Sequence, residues 1–167
     1  MSQVESEGWR QEVARCIERS PRPIHFVGIG NELRRDDAAG PNVVTALGRV
    51  LGASPPSWVK LHQGEPAERV LSRIPREDGV VVFDAVQAKV GPGGIVCATL
   101  DDTRYGFFAT HNIPLRLIPG LAERQDTAYV IGIEPESLDV GEGLTRAVKR
   151  SVDALAAEIA RQVRGRP

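Results

Sequence analysis

The sequence predicts an α/β fold, a three-layer α/β/α sandwich in which a mixed, mostly parallel five-stranded sheet lies between helices on both faces. Three observations carry this expectation. Short apolar runs rich in strand formers alternate with longer segments at helical spacing, the rhythm of a parallel sheet with helical crossovers. One pair of apolar runs is joined by a Gly-Pro-Gly-Gly turn instead of a helix, which makes room for an antiparallel member. Finally, 167 residues suffice to bury a core and are of the usual size for a single domain.

The elements follow in order. In residues 4–20, Val4, Trp9, Val13, Cys16 and Ile17 recur at roughly helical spacing among charges, and Pro21 and Pro23 end the pattern. This predicts an amphipathic helix, so that residues 1–22 read as a helical extension of a domain covering 1–167. Residues 24–30 are a short apolar run that fits a first buried strand, and helical periodicity returns after Asp37, with acids before the first turn and Pro41 near its start. A strand near 58–61, a helix near 66–74 and a strong strand at 80–83 continue the alternation. The turn Gly91-Pro92-Gly93-Gly94 then leads into a strand at 95–100, followed by a helix around 114–123, a strand at 128–133 and a closing helix from about 144 to 163. There is no internal repeat or low-complexity tract.

Composition narrows the function classes. With 41% hydrophobic and 26% charged residues and a net charge of −1, no strongly basic face is implied and nucleic acid is not an expected partner. The two cysteines, Cys16 and Cys97, form neither a disulfide framework nor a CxxC clip, and no secretory-type apolar segment is present, so a reducing cytoplasm is the expected location. The apolar runs are strand-sized and too short to cross a membrane.

In open α/β sheets, ligands bind beyond the carboxyl ends of the strands, so loops there carry the candidate chemistry. The first is Gly28-Ile29-Gly30-Asn31 through Asp36-Asp37, the second holds Asp84 after the third strand, and the third contains Thr110-His111-Asn112. Each has a bland reading: acids at a helix start cap amides, a strand-terminal Asp bonds a turn, and a lone His is commonly a surface residue. Taken together, two carboxylates and an imidazole are a recognisable ligand set for a borderline divalent metal such as zinc or nickel. Three protein ligands leave open positions from which a metal can polarise a carbonyl or activate water.

Other catalysts fit poorly. There is no G-x-S-x-G elbow and no H-E-x-x-H, Cys97 falls in an apolar strand, and Cys16 lies on a helix with apolar neighbours. Gly28-x-Gly30 after a strand also admits a nucleotide-binding reading, but residue 33 is Leu where the dinucleotide fingerprint has its third Gly.

The ordered motifs Gly28-Ile29-Gly30-Asn31, Arg35-Asp36-Asp37, Gly40-Pro41, Gln63-Gly64-Glu65-Pro66, Phe83-Asp84-Ala85, Gly91-Pro92-Gly93, Thr110-His111-Asn112-Ile113-Pro114-Leu115 and Gly132-Ile133-Glu134-Pro135 resemble those of the nickel-iron hydrogenase maturation peptidases. The resemblance covers nearly everything but the N-terminal helix, and it is strongest to members that process formate-linked hydrogenases. It implies a mixed sheet between helices and a metal-dependent endopeptidase that removes the C-terminal extension of a hydrogenase large-subunit precursor. It also implies that Asp37, Asp84 and His111 are both the catalytic and the metal-engaging residues. The nickel would be borne by the substrate, so that the isolated protein need hold none. The residues themselves leave two alternatives open, a non-catalytic assembly factor that binds the nickel-loaded precursor and a nucleotide-binding α/β enzyme.

Overall fold

The computed structural model describes residues 3–100, 108–109, 120–124 and 127–166. Its helices are α1 (Gln3–Arg19), α2 (Ala39–Leu51), α3 (Ala67–Arg73) and α4 (Arg146–Arg164), with a 3-10 turn at Arg35–Ala38. The strands are β1 (Ile24–Gly28), β2 (Val59–His62), β3 (Gly79–Gln87), β4 (Ile95–Thr99), β5 (Phe108–Ala109) and β6 (Ala128–Ile133).

Five strands form one sheet in the order β2-β1-β3-β6-β4, and the two-residue β5 pairs with the end of β3. β1 runs parallel to both β2 and β3, β6 runs parallel to β3, and β4 is antiparallel to β6. The strand after the Gly-Pro-Gly-Gly turn is therefore antiparallel, as its short connection requires. It pairs with β6 at the far edge and not with β3, since the inner position beside β3 is taken by β6.

The period of two along β3 divides the core. Val81, Phe83 and Ala85 face a cluster built with α1, α2 and α4, while Val80 and Val82 face α3, Leu100 and Leu121. Helices thus cover both faces, and strand β3, buried over all but its last residue, opens with the continuous apolar run 80–83 because neither face is wet. In α4 the apolar positions Val148, Val152, Leu155, Ala156, Ile159 and Val163 repeat at helical spacing and are all buried. The N-terminal helix is part of this architecture: Val13 and Ile17 are buried in the same cluster, and α1 packs on α4 and β4. The helix expected around 114–123 falls largely outside the described residues.

Candidate active site

The carboxyl edge of the sheet is assembled by close backbone approach. Ile29 donates its amide to the Phe83 carbonyl at 2.8 Å, which joins the end of β1 to β3. A Cβ on Gly40 would collide with the carbonyls of Ile29 and Phe83, and one on Gly28 would collide with the backbone of Gly40. The glycines of the first motif therefore let the start of α2 sit directly on the strand ends.

Between them the chain makes a tight excursion. Asn31 accepts the Leu33 amide through its side chain at 3.0 Å, an Asx turn, and donates its own amide to Asp37 Oδ2 at 3.1 Å. Arg35 follows with φ of 42°, a conformation that a non-glycine residue holds only when its surroundings fix it.

The two adjacent acids then divide their roles. Asp36 is fully buried and accepts the amides of Glu136 (2.9 Å), Ser137 (3.0 Å) and Thr145 (2.8 Å), together with the Thr145 hydroxyl (2.9 Å). Its carboxylate fastens the 3-10 turn to the segment between β6 and α4. The capping reading is corrected for Asp36: the N-cap position of α2 is Ala38, and the Asp36 carboxylate bonds a segment a hundred residues on. Asp37 is 7% exposed and sits in a turn that packs against β3.

Asp84 is 1% exposed and lies opposite Gly132 within the β3–β6 ladder. Sequence reading placed it in the loop after the third strand. That strand instead runs on to Gln87, because the pairing with β6 continues through Ala85 and β5 then pairs with Val86 and Gln87. Asp84 is thus held by the sheet itself, and the chain beyond Asp37 and the strand bearing Asp84 meet at the Gly40–Phe83 contact.

His111 lies outside the described residues. The strand preceding it, β5, pairs Ala109 with Val86, two residues beyond Asp84. Among the described residues no group of three or more His, Cys, Asp or Glu side chains is arranged to hold a metal ion.

The remaining chemically capable side chains lie elsewhere. His25 and His62 pair through Nδ1 and Nε2 at 2.8 Å, and His25 Nε2 meets Asp78 Oδ2 at 3.0 Å, across the β1–β2 side of the sheet. Burial holds the His62 imidazole below its usual pKa, helped by His25 and Arg73. Cys16 and Cys97 contact one another. That contact and burial push the Cys97 thiol far upward, while the Cys16 thiol, lowered by the same contact, is on the buried side of α1. Neither is placed as an exposed nucleophile. The nucleotide reading also loses its basis, since the place of an anion-binding glycine turn is taken by two buried carboxylates.

Sequence reasoning missed a second clamp. The Glu134 carboxylate accepts the amides of Ala88 (2.7 Å) and Val90 (3.2 Å), and its backbone exchanges hydrogen bonds with Gly93 and Gly94. It thereby ties the β3–β4 turn to the end of β6. The Gly-Ile-Glu-Pro motif carried the signal, but an acid at a strand end gives no hint of its partners.

A family model described as hydrogenase maturation protease matches residues 41–162. Among solved structures, the chain is similar to the [NiFe] hydrogenase maturation protease HycI of Thermococcus kodakarensis KOD1, with a TM-score of 0.73 and 27% identity over 91% of this chain and 98% of that one. It is also similar to the endopeptidase HycI of Escherichia coli, with a TM-score of 0.66 and 26% identity over 83% of this chain and 88% of that one. The hydrogenase maturating endopeptidase HybD of E. coli, at 22% identity and a TM-score of 0.64 over 85% and 92% of the two chains, shares the fold. No curated protein matches the chain. The mixed sheet with Asp84 in its central strand, the glycine-built loop leading to Asp37 and the match over most of the chain together establish that the protein belongs to the hydrogenase maturation protease family.

Proposed function

We propose that this endopeptidase removes the C-terminal extension of a hydrogenase large-subunit precursor, and that it recognises the precursor by the nickel already seated there. Asp37, Asp84 and His111 engage that metal. The observation that carries the reading is the pair of buried carboxylates, Asp37 and Asp84, supplied by two separate elements at the carboxyl edge of the sheet in a chain of this family.

The donor set suits the task. Two carboxylates and an imidazole bind a borderline divalent ion but leave positions for ligands from the precursor. Substrate nickel held there would act as a Lewis acid on the scissile carbonyl. The chain's own part is to keep both carboxylates fixed. Asp84 is fixed by its strand, and Asp37 by the Asn31 amide and by its neighbour's clamp. Glycine contacts beneath the loop allow no side chain to intervene.

Incubation with nickel-loaded and nickel-free precursor, followed by mass spectrometry of the precursor, tests the proposal. Cleavage of the loaded form alone is expected, with loss in Asp37→Asn, Asp84→Asn and His111→Ala. Equal cleavage of both forms refutes recognition through nickel. A precursor that is bound but never shortened would identify an assembly factor instead.

A further inference from the structure

The chain has two cysteines, far apart in sequence and on different elements, and the fold brings them together. Cys16 lies on the inner stripe of α1, one turn after Val13 and next to Ile17, both of which are buried in the cluster on that face of the sheet. Cys97, in the middle of the edge strand β4, packs against the same cluster, and α1 packs on β4. The two side chains meet there, with the Cys97 thiol donating a hydrogen bond to the Cys16 sulfur.

Neither thiol faces a substrate, but each faces the other. A free cysteine at a helix–strand contact serves as a small hydrophobe, a part that alanine or valine plays equally well. Placing both sulfurs of the chain at one point is what a cross-link needs. A metal is a poor occupant, since among the described residues no third His, Cys, Asp or Glu side chain joins them as a ligand group. The pair also divides the chemistry of oxidation. The hydrogen bond from Cys97 holds the Cys16 thiol below its ordinary value, which favours the thiolate that attacks an oxidant, while Cys97 keeps its proton. Cys97 is only partly buried, which opens the contact to a small oxidant from that edge of the sheet.

We infer that Cys16 and Cys97 form a reversible disulfide that staples the N-terminal helix to the edge of the sheet when a hydroperoxide is present. The Cys16 thiolate attacks one peroxide oxygen, the O–O bond breaks, and the leaving oxygen takes up a proton to become water or an alcohol. The Cys97 sulfur then attacks the Cys16 sulfenic acid: the S–S bond forms, the S–O bond breaks, and hydroxide leaves with the Cys97 proton as water. The two sulfurs are oxidised and the peroxide is reduced. A thiol reductant reverses the bond by exchange. The bond closes a loop of about eighty residues, long enough for a cross-link to remove much of the freedom of the unfolded chain. A terminal helix is otherwise among the first elements to open, and the staple ties its opening to that of the sheet. None of this depends on the function proposed above.

The test uses the full chain, reduced with dithiothreitol, desalted and exposed to hydrogen peroxide, then denatured and treated with iodoacetamide before intact mass spectrometry. The expected product is a single chain lighter by two hydrogens that takes up no iodoacetamide and regains both alkylation sites after dithiothreitol. Its melting temperature should exceed that of the reduced form by roughly 10 °C. Amides of α1 should exchange with solvent about tenfold more slowly. Cys16→Ser and Cys97→Ser, which cannot form the bond, should show neither change and so control for oxidation elsewhere in the chain. Two alkylatable thiols after peroxide, sulfinic acid in place of the bond, or a disulfide between two chains each overturn the inference. An internal bond that leaves both the melting temperature and the exchange of α1 unchanged overturns the staple as well.

Discussion

Replacing Asp36 by Ala tests the claim that one acid of the pair serves the architecture and the other the chemistry. The substitution removes the acceptor of three backbone amides and one hydroxyl, all converging on a fully buried carboxylate. A buried donor left without an acceptor costs about 1–3 kcal/mol, and water entering the vacated space recovers part of the three-amide total, so a loss of about 4 kcal/mol is expected. For a chain of this length each kcal/mol lowers the melting temperature by roughly 2–4 °C, which puts the shift near 10 °C. Calorimetry together with urea unfolding measures both quantities. The neighbouring Asp139→Ala is the control: Asp139 is exposed and accepts only from Ser137 Oγ at 3.0 Å among its described bonds, so its removal should change stability by less than about 0.5 kcal/mol. A loss below about 1 kcal/mol in Asp36→Ala would refute the clamp.

Other outcomes follow from the same geometry. Gly40→Ala should destabilise by about 3 kcal/mol or more, because its methyl group would collide with the Ile29 and Phe83 carbonyls, whereas Gly8→Ala, with open space around it in α1, should stabilise by about 0.5–1 kcal/mol; chemical denaturation separates the two. Leu155→Ala, at a fully buried position of α4, should cost about 2–5 kcal/mol by the same assay. His62 has a depressed pKa, so the unfolded chain binds more protons around the usual imidazole range, and stability should fall as pH drops through about 6.5 and below. His62→Gln should flatten that part of the pH–stability curve; an identical curve would show that His62 is not its source.

Much of the fold was legible because the hydrophobic pattern speaks directly about burial. The run at 80–83 and the period in α4 could hardly have been read otherwise, and the glycine motif correctly marked a place of close backbone approach. Asp84 shows where pattern reading stops. An acid ends an apolar run in sequence, but the ladder with β6 carries the strand past it, and pairing is a non-local property. The same limit hid the role of Asp36, whose partners lie at residues 136–145, and of Glu134, whose partners lie in the turn at 88–90. The histidine pair was missed for a related reason. His25 and His62 sit on strands made neighbours only by a crossover, so nothing local announced their contact.

The contrast between the supports of Asp37 and Asp84 has a consequence for how the protein comes apart. Amides in a central strand exchange with solvent only when the whole domain opens, whereas a turn fastened by side-chain hydrogen bonds can open on its own at lower free energy. Asp84 belongs to the first class and Asp37 to the second. Under mild denaturant the two carboxylates should therefore part company while the sheet is still intact, and activity would vanish before ellipticity does.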